Sequence, residues 1–140
     1  MPIHCEIVSQ DRIVYEGEAD MVLLPGAAGE MGILPNHSPV LSTLQFGTIR
    51  VRTKGEDQYF TVAGGVVEVQ PDQITVLADA AENVDEIDIQ RAEAARRRAE
   101  EALKEGIGKD TDTYLKIQAA LKRSNLRLDA VHRYSKSRRS

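Results

Sequence analysis

Residues 85–103 have the sequence DEIDIQRAEAARRRAEEAL, and this stretch divides the chain into two different halves. It contains no Gly or Pro, and its Ala, Arg and Glu residues favour helix. Asp85 is the predicted N-cap, with Asp88 reaching back as in a capping box. On a helical wheel, Arg91 and Arg98 border a narrow alanine face centred within roughly 40° of Asp88, formed by Ala92, Ala95, Ala99 and Ala102.

The position of Asp88 on this alanine face allows two interpretations. A carboxylate there needs a hydrogen-bond donor, because burying it unpaired costs several kcal/mol or more. The first interpretation is a close-packed helical hairpin with Asp88 salt-bridged across it. The second is a small anionic ligand held by Arg91 and Arg98, with Asp88 accepting hydrogen bonds from its polar groups. Geometry alone favours the first.

The residues before this stretch have the pattern of β-structure. Ile3, Cys5 and Ile7 alternate with polar residues, as in a half-buried strand. Further short strands are predicted at residues 13–15, 21–24, 31–34, 39–44, 48–53, 59–62, 67–69 and 74–78. Gly64-Gly65 allows a tight reversal or a bulge. Closely spaced strands with no intervening helix predict an all-β sandwich or barrel for residues 1–84.

The residues after this stretch predict a second helix. Gly106 is a candidate C′ residue for the first helix, residues 106–109 form a short loop, and Asp110 or Thr111 caps the second helix. An apolar stripe then faces the alanines, formed by Tyr114, Ile117, Leu121, Leu128 and Val131. The tail after Tyr134 is expected to be frayed. The predicted fold class is therefore α+β, an N-terminal β-sandwich (1–84) followed by an antiparallel two-helix hairpin (85–140).

The hairpin is expected to be only marginally stable, because alanine buries little apolar surface at roughly 25 cal/mol per Å². We therefore hypothesise that the helices separate from each other or from the sandwich.

Charge is distributed unequally between the two halves. Residues 1–85 carry four Lys+Arg and thirteen Asp+Glu, a net charge of −9, whereas residues 86–140 carry fourteen and nine, a net charge of +5. Residues 122–140 alone carry seven bases and one acid, a net charge of +6. This asymmetry indicates an anionic partner for the helical half.

Several classes of protein are disfavoured by the sequence. Cys5 is the only cysteine, and the three histidines, His4, His37 and His132, show no ligand spacing, so no metal site is predicted. The chain has no G-x-S-x-G elbow and no H-E-x-x-H motif, which argues against a hydrolytic enzyme. It also has no apolar run of 18 residues and no signal peptide at its start, which favours a cytoplasmic setting.

Three motifs in order resemble the epsilon subunit of bacterial F-type ATP synthases: GEMGILPNHSPVL at 29–41, GGVVEVQP at 64–71 and IDIQRA at 87–92. The resemblance covers nearly the whole chain. It implies a non-catalytic rotor subunit of a proton-translocating enzyme, with its sandwich against the gamma subunit and the c ring. It also implies a mobile hairpin that extends toward the alpha and beta subunits and restrains ATP hydrolysis. The implied location is the cytoplasmic side of the bacterial cell membrane, peripheral through the complex.

The resemblance also implies a regulatory ATP site, with ATP as a possible ligand and no required cofactor. The family's pattern falls on Glu82, Ile87, Asp88, Arg91, Ala92, Arg98, Arg123 and Arg127. Four arginines from two helices suit a polyphosphate, because guanidinium groups form bidentate, charge-assisted hydrogen bonds to phosphate. The salt-bridge interpretation of Asp88 stays open beside this one.

Two contact regions follow from the same resemblance. The family contacts the c ring near Glu30 and His37, although these residues also suit a hydrogen-bonded loop. The basic end of the second helix, including Lys122 and Arg133, is expected to face an acidic segment of the beta subunit, although a solvated helix face explains the charges too. The alternative function is a nucleic-acid-binding adaptor using the Arg-rich helices. The acidic β half and the scarcity of aromatic residues near the bases argue against it.

Overall fold

The computed structural model describes residues 1–10, 12–106 and 110–135. The chain divides into two compact units, Met1–Val84 and Asp85–Ser140, called here the β unit and the helical unit. In its described part, the β unit contains β1 (Ile3–Ser9), β2 (Arg12–Ala19), β3 (Met21–Gly26), β4 (Gly29–Ile33), β5 (Val40–Thr53), β6 (Glu56–Val69), β7 (Gln73–Ala78) and β8 (Ala81–Asn83). The helical unit contains α1 (Ile89–Lys104) and α2 (Thr111–Tyr134).

The strands of the β unit form one mixed sheet in the order β2-β1-β7-β6-β5-β3-β4, with β8 paired to β6. Neighbouring strands are antiparallel except for β1 and β7, which are parallel, with Cys5 opposite Ile74. The sheet forms a β-sandwich, as expected from the closely spaced strands. The chain reaches the parallel pairing without a helix because five other strands lie between β1 and β7 in the sequence.

Two strands are longer than the sequence pattern indicates. The segments predicted at residues 39–44 and 48–53 are the two ends of β5, and those at 59–62 and 67–69 both belong to β6. The prediction of four short strands was wrong because the intervening glycines bend the strands without ending them. Gly64 and Gly65 have φ values of 88° and 138°, yet Leu44 still pairs with Gly65, and Phe46 pairs with Ala63. Since β7 pairs with residues 65–69 of β6 and β8 with residues 60–62, on opposite sides of Gly64, this strand contributes to both parts of the sandwich.

The core of the β unit follows the predicted alternation. β1 buries Ile3, Cys5 and Ile7, which are all 0% exposed. Burial raises the pKa of the Cys5 thiol to about 12, so this cysteine is not an accessible nucleophile. Further fully buried side chains come from every central strand, including Leu24, Ile49, Phe60, Val67, Ile74 and Val76.

The helical unit is a hairpin in which α1 packs against α2. Only six residues connect the two helices, so they run in opposite directions. Gly106 follows the C-cap Glu105 with a φ of 72°, and its N–H donates to the Leu103 carbonyl at 3.3 Å, which confirms the predicted C′ position. Asp110 is the N-cap of α2. The rest of the predicted loop, residues 107–109, and the tail from residue 136 lie outside the described residues.

The prediction that Asp85 caps the first helix was wrong. Residues Val84–Glu86 form a single 3₁₀ turn, and Asp88 is the N-cap of α1 in an extended conformation. Local spacing could not distinguish the two aspartates, because both are good capping residues followed by a helix-favouring segment. As a consequence, Asp88 precedes the helix and is not part of its alanine face, and its side chain is exposed.

Candidate ligand site and contact surfaces

Asp88 is the N-cap of α1 and immediately precedes the first helical residue, Ile89. Its Oδ1 accepts a hydrogen bond from the backbone N–H of Arg91 at 3.1 Å. The cap satisfies one of the helix's unpaired N–H groups, and its negative charge complements the positive end of the helix dipole. The expectation of a carboxylate buried on the alanine face is corrected here, since an exposed N-cap needs no salt bridge across the hairpin.

The alanine face itself forms as predicted at two of its four positions. Ala92 is 0% exposed and Ala99 is 7% exposed, while Ala95 and Ala102 are half-buried. On α2, Leu128 and Val131 of the predicted stripe are buried, but Tyr114 is 44% exposed. Ser124, which the predicted stripe did not include, is buried as well. Its hydroxyl donates to the Ala120 carbonyl at 3.0 Å, so its polar group is satisfied within the helix.

The four arginines of the predicted site, called here the arginine edge, occupy equivalent positions on their helices. Each immediately precedes a buried residue, in the pairs Arg91–Ala92, Arg98–Ala99, Arg123–Ser124 and Arg127–Leu128. One residue corresponds to about 100° around a helix, so each arginine lies beside the buried face. Because the two helices are antiparallel, the same offset on both places the four arginines along one side of the seam.

The members of the arginine edge differ in exposure. Arg91, Arg98 and Arg123 are exposed, whereas Arg127 is half-buried and its Nε is shielded from solvent. Arg91 and Arg98 are separated by seven residues, a rise of about 10 Å along α1. The exposed guanidinium groups retain N–H donors that a polyphosphate could accept from.

The other residues of the predicted site fall in different places. Ile87 is 8% exposed and Ala92 is fully buried, so both act through packing. Glu82 lies in β8 opposite Thr61, which makes it the only predicted site residue in the β unit. The helical unit also contains a depression of about 400 Å³, which the sequence did not indicate, lined by Leu103, Gln118, Leu121, Lys122 and Asn125.

The predicted c-ring region lies on β4 and on the loop that follows it. Glu30 is exposed on β4, opposite Pro25 of β3. His37 is half-buried, with its Nδ1 2.7 Å from the Ser38 carbonyl, which accepts the ring N–H. The Asn36 N–H donates to the Pro71 carbonyl at 2.8 Å, and this hydrogen bond attaches the loop to the segment between β6 and β7. Leu34 beside it is 57% exposed, so the loop presents an apolar side chain together with polar ones.

A second surface of the β unit was not predicted. Ile13, Val8, Leu77 and Val66 are consecutive cross-strand neighbours on β2, β1, β7 and β6, and form what we call the apolar row. Leu77 is 57% exposed, Ile13 56% and Val66 39%. Val8 and Leu77 alternate with the buried residues of their strands, whereas Ile13 comes opposite Val8 through the shift in register between β1 and β2 at Ile7 and Val8. The alternation predicted for the strands that carry Val8, Val66 and Leu77 contained part of this signal, but no alternation was predicted around Ile13, and the strand order needed to assemble the row was not known.

The basic end of α2 is exposed. Lys122 and Arg133 both face solvent, and Arg133 pairs with Asp129 one turn earlier at 3.3 Å. An exposed i,i+4 pair contributes only about 0.3–0.5 kcal/mol, so it leaves Arg133 available to an acidic partner. Among the described residues, no helix combines the length and apolar character needed to cross a bilayer.

Both units match domains of one family. Residues 2–84 match the family described as ATP synthase, Delta/Epsilon chain, beta-sandwich domain. Residues 85–132 match the family described as ATP synthase, Delta/Epsilon chain, long alpha-helix domain. The chain is 42% identical to the ATP synthase epsilon chain of Herpetosiphon aurantiacus over 131 residues, covering 94% of this chain and 95% of the relative. It is 41% identical to that of Nitrosococcus oceani over 137 residues, covering 97% and 96%.

Solved structures show the same fold. A chain in the mitochondrial ATP synthase of Euglena gracilis, solved as OSCP/F1/c-ring in rotational state 1, aligns with a TM-score of 0.77 at 20% identity, covering 94% of this chain and 82% of that one. A chain of the central stalk and c-ring structure from Tetrahymena thermophila mitochondrial ATP synthase aligns with a TM-score of 0.55 at 12% identity, covering 92% and 96%. The comparisons give no support to the nucleic-acid-binding alternative.

Proposed function

Because this chain belongs to the ATP synthase delta/epsilon chain family, we propose that it works as a non-catalytic epsilon subunit in the central stalk of an F-type ATP synthase. The observation that carries the proposal is that both units match the family, in the same order and over nearly the whole chain. The subunit transmits rotation and regulates hydrolysis, while catalysis resides in other subunits. Its place in the cell is peripheral to the bacterial membrane on the cytoplasmic side, through the complex.

The β unit is the part proposed to hold the subunit in the rotor. The apolar row offers a flat contact surface, since apolar side chains exposed in a continuous row are typical of protein interfaces. Glu30 and the loop containing His37 offer a second, more polar surface. We assign these surfaces to the gamma subunit and the c ring together, as the family relationship suggests for a central-stalk protein.

The helical unit is proposed to restrain ATP hydrolysis by extending toward the alpha and beta subunits, where the basic end of α2 meets an acidic segment. In the reconstituted complex, deleting residues 122–140 should raise ATPase activity. Unchanged hydrolysis would refute the inhibitory role. A smaller change tests the charges alone, since the double variant Lys122→Ala, Arg133→Ala should also raise activity, and most at low salt. Its control removes two exposed charges from the β unit, Arg12→Ala with Lys54→Ala, and should leave hydrolysis unchanged.

ATP is proposed as a regulatory ligand that stabilises the closed hairpin. The support is the arginine edge, which places cationic side chains of both helices along one side of the seam. Phosphate groups bound there would link α1 to α2, so ATP would bind the closed form better than a separated one and shift the population toward it. Asp88, as the N-cap, orients the first turn that carries Arg91.

Isothermal titration of the full chain with ATP tests this site. The wild type should bind one ATP, and Arg91→Ala should bind at least tenfold more weakly because it loses a charge-assisted hydrogen bond. Arg97→Ala is the matched control, since Arg97 is an exposed arginine of the same helix outside the arginine edge. The absence of binding by the wild type up to millimolar ATP, or equal losses in both variants, would remove the site and leave the stalk role intact.

A further inference from the structure

A compact polar cluster lies on the solvent-facing side of β1 and β2. His4 and Glu6 are two residues apart on β1, so both side chains leave the same face of the sheet, opposite to the buried Ile3, Cys5 and Ile7. Across the strand pair, His4 lies opposite Glu18, and Glu6 lies opposite Glu16. The four side chains therefore form a square of one imidazole and three carboxylates.

Potential ligand atoms of three side chains in this cluster lie close together. One potential ligand atom each from His4, Glu6 and Glu16 lies within 4.8 Å of the other two. The His4 Nε2 is 3.3 Å from a Glu16 carboxylate oxygen. Zinc–nitrogen and zinc–oxygen bonds of about 2.0–2.1 Å in a tetrahedron place neighbouring ligand atoms about 3.3 Å apart. The pair is thus already spaced as two corners of such a site.

The fourth side chain fixes the orientation of the imidazole. The His4 Nδ1 lies 3.2 Å from a carboxylate oxygen of Glu18, on the side of the ring away from Nε2. A histidine that ligates a metal through one ring nitrogen commonly donates the other N–H to a carboxylate, which sets the tautomer and makes the ligand more basic. Glu18 is therefore placed as a positioning residue rather than as a ligand.

We propose that His4 Nε2, Glu6 and Glu16 bind a divalent transition-metal ion of the zinc class on the outer face of the β unit, with water completing the coordination. The imidazole nitrogen favours zinc over magnesium and calcium, which prefer oxygen ligands alone. The three carboxylates supply the charge that attracts a cation. On the other side, the β7 residues opposite His4 and Glu6 are the neutral Gln73 and Thr75, so the paired strand brings no positive charge to the site.

Such an ion would join β1 to β2. Since β2 is the end strand of the sheet order, it is held through β1 alone in that order. A metal bridging the two strands stabilises the folded β unit, because the ligands converge only in the folded state. The proposal does not rest on the proposed stalk function or on the arginine edge, although His4 and Glu6 lie on the same face of β1 as Val8 of the apolar row.

Isothermal titration of the metal-free full chain with ZnCl₂, in a buffer that does not chelate zinc, tests the proposal. We expect one ion per chain and a higher thermal midpoint with zinc. His4→Gln should weaken binding at least tenfold, and Glu18→Gln should weaken it by about 10- to 100-fold, because the ring loses its orienting partner. His37→Gln is the matched control and should bind as the wild type does, since His37 faces its own loop carbonyl.

The alternative is that His4 forms ordinary ion pairs with Glu16 and Glu18. That alternative predicts no zinc binding by the wild type, or binding that His4→Gln leaves unchanged because it occurs elsewhere, and either result overturns the proposal. Tighter binding of MgCl₂ than of ZnCl₂ would also overturn it. All three side chains that would be ligands are at least partly solvent-exposed, so the variants should fold. If His4→Gln nevertheless does not fold, Glu16→Gln removes a different ligand and should weaken zinc binding in the same way.

Discussion

Replacing Gly65 with alanine should destabilise the β unit more than the same replacement at any other exposed or half-buried glycine. Gly65 lies where β6 begins to pair with β7, opposite Ala78, and has a φ of 138°. A Cβ atom at this position would meet the Leu77 carbonyl oxygen and would lie 2.8 Å from the Ala78 Cα. Both are backbone atoms of β7, so relief requires moving a strand rather than rotating a side chain.

The expected loss has two parts. A non-glycine residue held in such a sparsely populated backbone conformation costs about 1–3 kcal/mol. The steric contact with β7 adds about 1–3 kcal/mol, the usual cost of overpacking a well-packed site. The sum of about 2–6 kcal/mol is a large part of the roughly 5–15 kcal/mol by which a typical domain is stable.

Gly29 provides the matched control because it isolates the first part. Its φ is 128°, close to that of Gly65, but nothing lies within 4 Å of the Cβ that alanine would add. Urea unfolding followed through the amide NMR signals of β7 gives the free energy of unfolding for each variant. Gly65→Ala should be at least about 1 kcal/mol less stable than Gly29→Ala. Equal losses would refute the inference that β6 and β7 approach too closely here for a side chain.

Further predictions concern acid stability, the cap of α1 and the relative stability of the two units. The two hydrogen bonds from Arg52 hold the pKa of Asp57 below its ordinary value, so its stabilising effect is complete above the unfolded-state pKa and is lost as pH falls through the lower folded-state pKa. Asp57→Asn should remove this acid-dependent part of stability, measured as the urea midpoint from about pH 5 to about pH 2. Asp88→Ala should cost the helical unit about 1 kcal/mol and Asp85→Ala much less, measured by thermal unfolding at 222 nm, whereas the reverse order would restore Asp85 as the cap. Amide hydrogen exchange should be faster in α1 than in β1, and equal protection would contradict a weakly held hairpin.

The sequence predicted the strands better than their order. Alternation of Ile3, Cys5 and Ile7 identified β1 and its buried face, because period-two burial is local information. The parallel partner of β1 is Gln73–Ala78, more than 60 residues away, and nothing in either segment specifies that pairing. Gly64 and Gly65 were correctly identified as special, but whether glycines reverse a strand or only bend it depends on the neighbouring strand.

The candidate sites show the same division between local and distant information. Arg91 and Arg98 were identified by their spacing, whereas Arg123 and Arg127 were identified only through the resemblance to the family. The offset that places all four along one side of the seam follows from helix geometry once the buried residues are known. Asp88 was misplaced because the choice between two caps depends on where the 3₁₀ turn ends. The cluster around His4 was missed because histidine spacing was compared only with other histidines and cysteines. Its further members, Glu16 and Glu18, come from the next strand and converge on His4 only through the register of the β1–β2 pair.

The alanines of the seam connect the expected weakness of the hairpin to its proposed control by ATP. Small side chains at Ala92 and Ala99 bury little apolar area, so closure is supported by less hydrophobic free energy than a leucine seam would supply. The same small side chains let the two helices approach, and the proposed site depends on this approach to bring arginines of both within reach of one ligand. Changing a population from 1:99 to 99:1 requires about 5.5 kcal/mol of differential binding. Hydrogen bonds to charged groups contribute about 1.5–3 kcal/mol each, so four arginines could supply this free energy. They would do so only if the ligand contacted both helices, because contacts with one helix alone are equally available in the closed and the separated form. A seam built from larger residues would close without ATP and would leave nothing for the nucleotide to regulate.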